Sequence, residues 1–278
     1  MSDAKLLSVE NLTIDYPGRR RQSFRAVSGV SFDIGSGETV GLVGESGSGK
    51  TTIARAVQGL LAAAAGSIVL DGEQVKAGDA KNRRRLASKV QTVFQDPFGS
   101  LNPARTVGST VAESLVAQKV RLTGKEIAAR VNSELESVGL SAKDASRHPW
   151  EFSGGQCQRI AIARALIARP KLVICDEAVS ALDLSIQAQI LNLLTDLQAE
   201  RGISYLFITH DLAVVRHVAQ RIAVLEHGNM VDFLAAGDDD SSTWSHYTRK
   251  LFDAAPIPDP VLQKARREQF ERTLAETT

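Results

Sequence analysis

Apolar and polar residues alternate over residues 6–16, and the pattern stops at Pro17-Gly18. A period of two predicts a half-buried strand, and Pro-Gly predicts the turn that ends it. Residues 26–34 repeat the pattern. Residues 38–43 form a shorter apolar run that enters a glycine-rich turn, after which a helix is predicted over about 49–60. Runs at 67–70 and 90–94 predict further strands. From 96 to 168 the apolar spacing becomes helical. Within it, Thr123 with Glu126 and Ser153 with Gln156 form capping boxes, opening helices that run to about Val138 and Ile167. Residues 172–175 read as a buried strand. Ile186, Ile190, Leu191, Leu193, Leu194 and Leu197 make one helical stripe, ending at Gly202. Strands at 203–209 and 221–225 flank a short helix that begins at Asp211.

Strands alternating with helices predict the α/β class, and the helical stretch 96–168 reads as a subdomain inserted into that core. The acidic tract 238–240 marks a break. Beyond it lies a tail with Pro256, Pro258 and Pro260 and a charged helix from about Val261.

Composition narrows the function. The 278 residues carry 33 Lys plus Arg against 32 Asp plus Glu, a formal net charge of +1. A whole-chain nucleic-acid or membrane-surface binder would need a strong positive field. No stretch approaches the roughly 18 consecutive apolar residues of a membrane helix, and no signal-peptide pattern opens the chain. Two cysteines, Cys157 and Cys175, are too few for a disulfide framework or a zinc cluster and fit a reducing compartment. Cys175 reads as a small buried hydrophobe on its strand.

Gly44-Glu45-Ser46-Gly47-Ser48-Gly49-Lys50-Thr51 fits G-x-x-x-x-G-K-[ST], with a strand before it and a helix after it. The glycines let backbone N–H groups turn inward toward phosphate oxygens, and the helix N-terminus favours negative charge. Lys50 would reach the β- and γ-phosphates, and Thr51 would ligate Mg²⁺. Gly44, Ser46, Gly47, Ser48, Gly49, Lys50, Thr51 and the adjacent Thr52 are therefore candidate contacts for ATP. The strand at 172–175 delivers Asp176 and Glu177 to its C-terminal end, the edge where α/β sheets bind ligands. Asp176 would hold the metal, and Glu177 would orient or deprotonate the attacking water. Ser153-Gly154-Gly155-Gln156 starts a helix with open N–H groups, a second and weaker place for an anion.

In this order, the phosphate loop, the Ser-Gly-Gly-Gln start, the apolar Asp-Glu strand, Ser180-Ala181-Leu182-Asp183 and His210 make the sequence resemble the ATP-binding-cassette ATPases. The resemblance covers about residues 6–235. It implies a phosphate-loop ATPase core with an antiparallel β subdomain and the inserted helical subdomain, followed by a C-terminal extension over 236–278. It also implies two cassettes packed head to tail. Ser153, Gly154, Gly155 and Gln156 would then contact ATP held by the other subunit, and Asp183 would lie in the loop crossing the interface. Gln95 matches the glutamine that senses Mg²⁺ and the transport partner, His210 the histidine at the γ-phosphate, and Tyr16 the aromatic that stacks on adenine.

Four stretches resemble the branch that energises peptide and nickel importers: residues 94–103, 175–183, 185–191 and 247–252. Two different ATPase subunits commonly pair in that branch, and this chain resembles the second. Phe152 stands where many members have Leu, and Cys157 where Arg is common; neither change removes a phosphate ligand. The tail has no cysteine, so no iron–sulfur cluster is expected there. The resemblance implies a peripheral subunit on the cytoplasmic face of the membrane. Its partners would be a second ATPase subunit, two transmembrane permease subunits and, indirectly, an extracytoplasmic solute-binding protein, with no nucleic acid. Phe98 and Leu101 are candidates for the permease contact. A non-transport cassette ATPase, such as one serving iron–sulfur assembly, and an importer of nickel or another small solute are the alternatives.

Overall fold

The computed structural model describes residues 5–18, 23–78, 80–238 and 240–254. The alternating N-terminal segments form β1 (Lys5–Pro17) and β2 (Ser23–Gly35), which pair antiparallel. With β4 (Ala65–Leu70) and β5 (Glu73–Gln74) they make a four-stranded sheet in the order β2-β1-β4-β5. The more continuous apolar runs build a second sheet from β3 (Thr39–Val43), β6 (Val90–Phe94), β7 (Leu172–Asp176), β8 (Ser204–Ile208) and β9 (Arg221–Glu226), with β10 (Asn229–Ala235) at one edge. Its order is β10-β9-β3-β8-β7-β6, all neighbours parallel except β10 against β9.

Helix α1 (Lys50–Val57) follows β3, and α2 (Ala80–Lys89) precedes β6. Between β6 and β7 run α3 (Val107–Val111), α4 (Glu113–Ala117), α5 (Gly124–Ser137) and α6 (Gly154–Leu166). Three further helices complete the described chain: α7 (Leu184–Arg201), α8 (Leu212–Val218) and α9 (His246–Ala254). Both expected capping boxes are formed, at Thr123/Glu126 and Ser153/Gln156.

Strand β7 explains the layering. Leu172 and Ile174 join one buried cluster with Leu7, Leu12, Ile14 and Ile53 of the antiparallel sheet and α1. Val173 and Cys175 join another with Ile160, Ala161, Ile190 and Leu194 of α6 and α7. The parallel sheet is thus a middle layer, and each buried Leu, Ile or Val among these contributes roughly 1.5–3 kcal/mol. A third cluster gathers Val43, Leu212, Val215, Ile222 and Val224, with Tyr247, Leu251 and Phe252 of α9 against it. Gly41 lets α8 lie on β3, because a Cβ there would stand 2.3 Å from Val215 Cγ1.

Arg221 ties the two sheets together. Its guanidinium donates to both Glu38 oxygens at 2.5 and 2.8 Å and to Asp33 Oδ2 and the Asp33 carbonyl at 3.0 Å, and it lies over the Phe233 ring. The bonds to Glu38, then those to Asp33, hold it well above the usual arginine range. Arg221→Ala is expected to lower stability by about 2 kcal/mol, since hydrogen bonds to charged groups are lost together. Urea unfolding monitored by circular dichroism measures it.

Four elements were not expected. Helix α2 is almost wholly polar, with Leu86 as its buried apolar side chain among those described. Strand β5 is two residues long. Strand β10 follows β9 through His227 and Gly228, both at positive φ as a tight hairpin turn needs. Helix α9 falls just beyond the acidic break. The start of the predicted helical stretch also differs, because residues 96–106 are turns and bends, not helix. Leu101 is buried in the core, so it does not offer a docking contact as expected, whereas Phe98 is half exposed. The proline run and the helix expected from Val261 lie outside the described residues. Among the described residues no helix is long and apolar enough to cross a membrane.

Candidate nucleotide site

Strand register brings the motifs together. Phe94 pairs with Asp176, Asp176 with Ile208, and Ile208 with Leu42. The residues that follow these strand ends therefore share one edge of the sheet: the loop after Val43, Gln95 after β6, Glu177 after β7, and Thr209-His210 after β8.

Glycine is required in the loop. Gly44 sits at φ 151°, where a Cβ would meet the Leu225 carbonyl oxygen at 2.2 Å. Gly49 sits at φ 107°, with the Ala26 carbonyl oxygen 2.8 Å from its notional Cβ. The loop is held from outside by the Gly228 N–H, which donates to the Ser48 carbonyl at 3.1 Å. Lys50 is buried, and its Nζ donates to the carbonyls of Gly44 at 2.7 Å and Glu45 at 2.8 Å. Burial pushes its pKa down, while Glu177 and Asp176 oppose the shift. Ser48 Oγ is buried without a hydrogen-bond partner. A glycine cradle with a buried ammonium and an unsatisfied hydroxyl suits phosphate oxygens. Tyr16, at the end of β1, reaches the same place, its hydroxyl 3.3 Å from Thr52 Oγ1.

Across the edge, burial raises the pKa of Asp176 and the neighbouring Glu177 charge raises it further. Arg55, Lys50 and a hydrogen bond from the Thr51 hydroxyl pull it back. Glu177 has φ 51°, and its N–H donates to the Ile208 carbonyl at 2.9 Å. Its Oε1 lies 3.4 Å from His210 Nδ1. The turn carrying His210 is fixed by Asp211, whose carboxylate accepts from the N–H groups of Ala213 and Val214 and whose own N–H donates to Thr209 Oγ1. Among the described residues no three His, Cys, Asp or Glu side chains gather as a metal cluster. Thr51, Asp176 and Gln95 offer oxygen donors instead, which suits a cation that keeps water and substrate phosphate in its shell, as Mg²⁺ does.

The Ser-Gly-Gly-Gln start lies elsewhere. Ser153 Oγ accepts from the Gln156 N–H at 3.4 Å, and the Ser153 N–H donates to Gln156 Oε1 at 3.0 Å. A Cβ on Gly155 would stand 2.5 Å from Ile186 Cγ2, so this glycine lets α6 pack on the start of α7. Asp183 caps α7, accepting from the Ile186 N–H at 3.0 Å. Among the described residues no hydrogen bond or ion pair joins Ser153, Gly154, Gly155, Gln156 or Asp183 to the phosphate loop of the same chain. Cys157 is buried, with its thiol pushed up to about 11. Burial likewise raises the fully buried Cys175, as expected for a packing residue.

Two residues at this edge were not read as part of the site, although Tyr247 belongs to the stretch 247–252 that resembles the importer branch. Gln158 is fully buried in α6 and donates to the Ala178 carbonyl at 2.6 Å and more weakly to the Phe94 carbonyl at 3.5 Å, linking the ends of β6 and β7. Tyr247 of α9 reaches the phosphate loop itself, where its hydroxyl accepts from the Glu45 N–H at 3.1 Å.

A phosphate loop between β3 and α1, faced by an Asp-Glu strand end, places the chain among the phosphate-loop nucleoside triphosphatases. Comparison with known proteins narrows that class. Residues 27–180 match the ABC transporter family, and the chain belongs to it. It is 47% identical over 243 residues to the oligopeptide transport ATP-binding protein OppF of Haemophilus influenzae, covering 87% of this chain and 73% of that protein. It is 45% identical over 268 residues to OppF of Bacillus subtilis, covering 95% and 87%. Among solved structures, cbiO1 of Clostridium perfringens, part of the ABC transporter complex cbiONQ, aligns with a TM-score of 0.74 at 28% identity, covering 84% of this chain and 89% of that one. The ATP-binding cassette MJ0796, a dimer in a post-hydrolysis state bound to ADP and Pi, aligns with a TM-score of 0.74 at 29% identity, covering 84% and 99%. The chain is an ATP-hydrolysing cassette of this family.

Proposed function

We propose that this chain is the ATP-hydrolysing subunit of an importer for oligopeptides, with the ATPase domain over residues 6–235, its helical insertion over 96–168 and an extension over 236–278. The observation that carries this reading is the convergence of the phosphate loop, Gln95, Asp176, Glu177 and His210 on one sheet edge, in a chain so similar to OppF proteins over most of its length.

The residues divide the work. Tyr16 stacks on the base, and the loop, through Gly44 and residues 46–52, binds phosphate. As phosphate enters, Lys50 exchanges its two carbonyl partners for phosphate oxygens. Thr51, Asp176 and Gln95 would hold Mg²⁺, which would neutralise phosphate charge when bound. Glu177 accepts the proton of the attacking water at a carboxylate oxygen, and His210, next to it, orients that carboxylate and contacts the γ-phosphate. This chain's Ser153, Gly154, Gly155 and Gln156 and its loop at Asp183 reach ATP held by a second cassette, across the interface. ATP binding thus completes contacts that neither chain makes alone, and hydrolysis releases them.

The chain would sit peripherally on the cytoplasmic face, held by two permease subunits and working with an extracytoplasmic solute-binding protein. Phe94 and Phe98, 47% and 50% exposed and flanking Gln95 in the chain, are the proposed permease contact. Deleting the gene is expected to abolish uptake of labelled oligopeptides, with wild-type protein restoring it and co-purifying with permease. Intact peptide uptake alongside lost nickel uptake would overturn the substrate assignment.

A further inference from the structure

We propose that Tyr247 is a positioning residue for the phosphate loop, so that the C-terminal extension sets the affinity for ATP. The inference rests on the nucleotide-site reading above and adds to it a residue outside the ATPase motifs.

Two successive peptides meet at Glu45. In the Gly44–Glu45 peptide the Gly44 carbonyl accepts from Lys50 Nζ at 2.7 Å, and the Glu45 N–H donates to the Tyr247 hydroxyl at 3.1 Å, across 202 positions of sequence. In the next peptide the Glu45 carbonyl accepts from Lys50 Nζ at 2.8 Å and from the Ser48 N–H at 3.2 Å. When Lys50 turns to phosphate, both carbonyls lose that donor. The tyrosine bond then still holds the Gly44–Glu45 peptide, as the Ser48 N–H holds the next, and keeps the mouth of the loop in its binding shape. Pre-forming a loop removes ordering cost from the binding step.

The hydroxyl is itself held in place by an anchor more elaborate than burying one helix face requires. Thr248 is fully buried and its hydroxyl donates to the Asp232 carboxylate of β10. The same carboxylate oxygen accepts from the Ser245 N–H at 3.0 Å. The Trp244 ring lies 4.7 Å from that of Phe252, and Arg249 donates twice to the Trp244 carbonyl, at 3.1 and 3.0 Å. Tyr247 and Leu251 meanwhile pack on the cluster around Val43, the residue from which the phosphate loop departs. Anchoring α9 at Asp232 therefore aims Tyr247 at Glu45.

If α9 merely covered an apolar edge, the ring of Tyr247 would matter and its hydroxyl would be idle. Tyr247→Phe separates the two cases because it keeps the ring. The full-length chain is titrated with a fluorescent ATP analogue plus Mg²⁺, and steady-state hydrolysis is measured on the assembled complex. Burial of Trp244 is read from its emission in a Trp150→Phe background, since Trp150 is exposed at the surface. Tyr247→Phe is expected to weaken binding about three- to ten-fold, the usual worth of one hydrogen bond. KM should rise in step, with kcat and Trp244 emission unchanged. Thr248→Val is expected to weaken binding as well, with a red shift of Trp244 as α9 loosens. Wild-type affinity in Tyr247→Phe would overturn the proposal, and so would a loss of affinity that appears only together with a red-shifted Trp244. A wild-type chain that binds no nucleotide would overturn both this inference and the site reading beneath it.

Discussion

Lys50→Ala should abolish ATP hydrolysis, with a loss of at least about 10²-fold, the usual cost of removing one preorganised donor from a site where charge develops. The magnitude follows from where the ammonium sits. It is 6% exposed, it bridges two loop carbonyls, and although burial pushes its pKa down, the Glu177 and Asp176 charges oppose that shift and favour the ammonium. Alanine leaves Gly44 O and Glu45 O without that donor, the two acids without their shared counter-charge, and incoming phosphate without an ammonium. The helix itself should survive, because Lys50 is the first residue of α1 and alanine is a strong helix former. The measurement is the ATPase rate of the purified complex together with its melting temperature. A wild-type rate would refute the assignment, and an unchanged melting temperature would separate lost chemistry from lost fold.

The contrast between Lys50 and Tyr247 shows which parts of this site were legible in the sequence. The phosphate loop is a local object. Its glycines, lysine and threonine are contiguous, and the strand before it and helix after it are written in the same twenty or so residues. The strand bearing Asp176 was equally legible, because an unbroken apolar run that ends in two acids can sit in a covered parallel sheet with its acids at one edge. Register then did the rest: Phe94 against Asp176 against Ile208 carries Gln95, Glu177 and His210 to one place without any of them being adjacent in sequence. Local chemistry also placed both capping boxes correctly.

What escaped depends on partners far along the chain. Helix α2 has too few apolar residues to show a stripe, and it is held by ion pairs such as that of Lys89 with Asp71 and Glu73. Strand β10 has half-buried side chains on both faces, so its alternation is blurred. Its turn uses His227-Gly228, where Asn-Gly would have been the stronger signal. Leu101 reads like any loop leucine until the helices close over it. Gln158 and Tyr247 act through main-chain groups, whose positions no sequence pattern records. Likewise nothing in the sequence ties Gly155 to Ile186, although that contact forbids a side chain there as firmly as any phosphate would.

Glu177→Gln should retain ATP binding and lose turnover, so that the cassettes accumulate as a closed dimer. The backbone around Glu177 is fixed by main-chain bonds that the substitution does not touch: its N–H to Ile208, and its carbonyl to the N–H and hydroxyl of Ser180. Glutamine has the same shape, so the side chain should still lie beside His210. What changes is chemistry, since an amide oxygen cannot take a proton from water at neutral pH. Loss of a general base costs about 10²- to 10⁴-fold. Binding should hold or tighten. The Glu177 charge is one of the influences that raise the pKa of Asp176, so removing it makes that buried carboxylate more readily ionised and a better oxygen ligand. With hydrolysis blocked, the γ-phosphate contacts that close the dimer persist, and size-exclusion chromatography with ATP, of the chain alone and with its second ATPase subunit, should show a two-cassette species that is absent with ADP. Unchanged turnover would sink the base assignment. Lost ATP binding would move Glu177 from the water to the nucleotide itself.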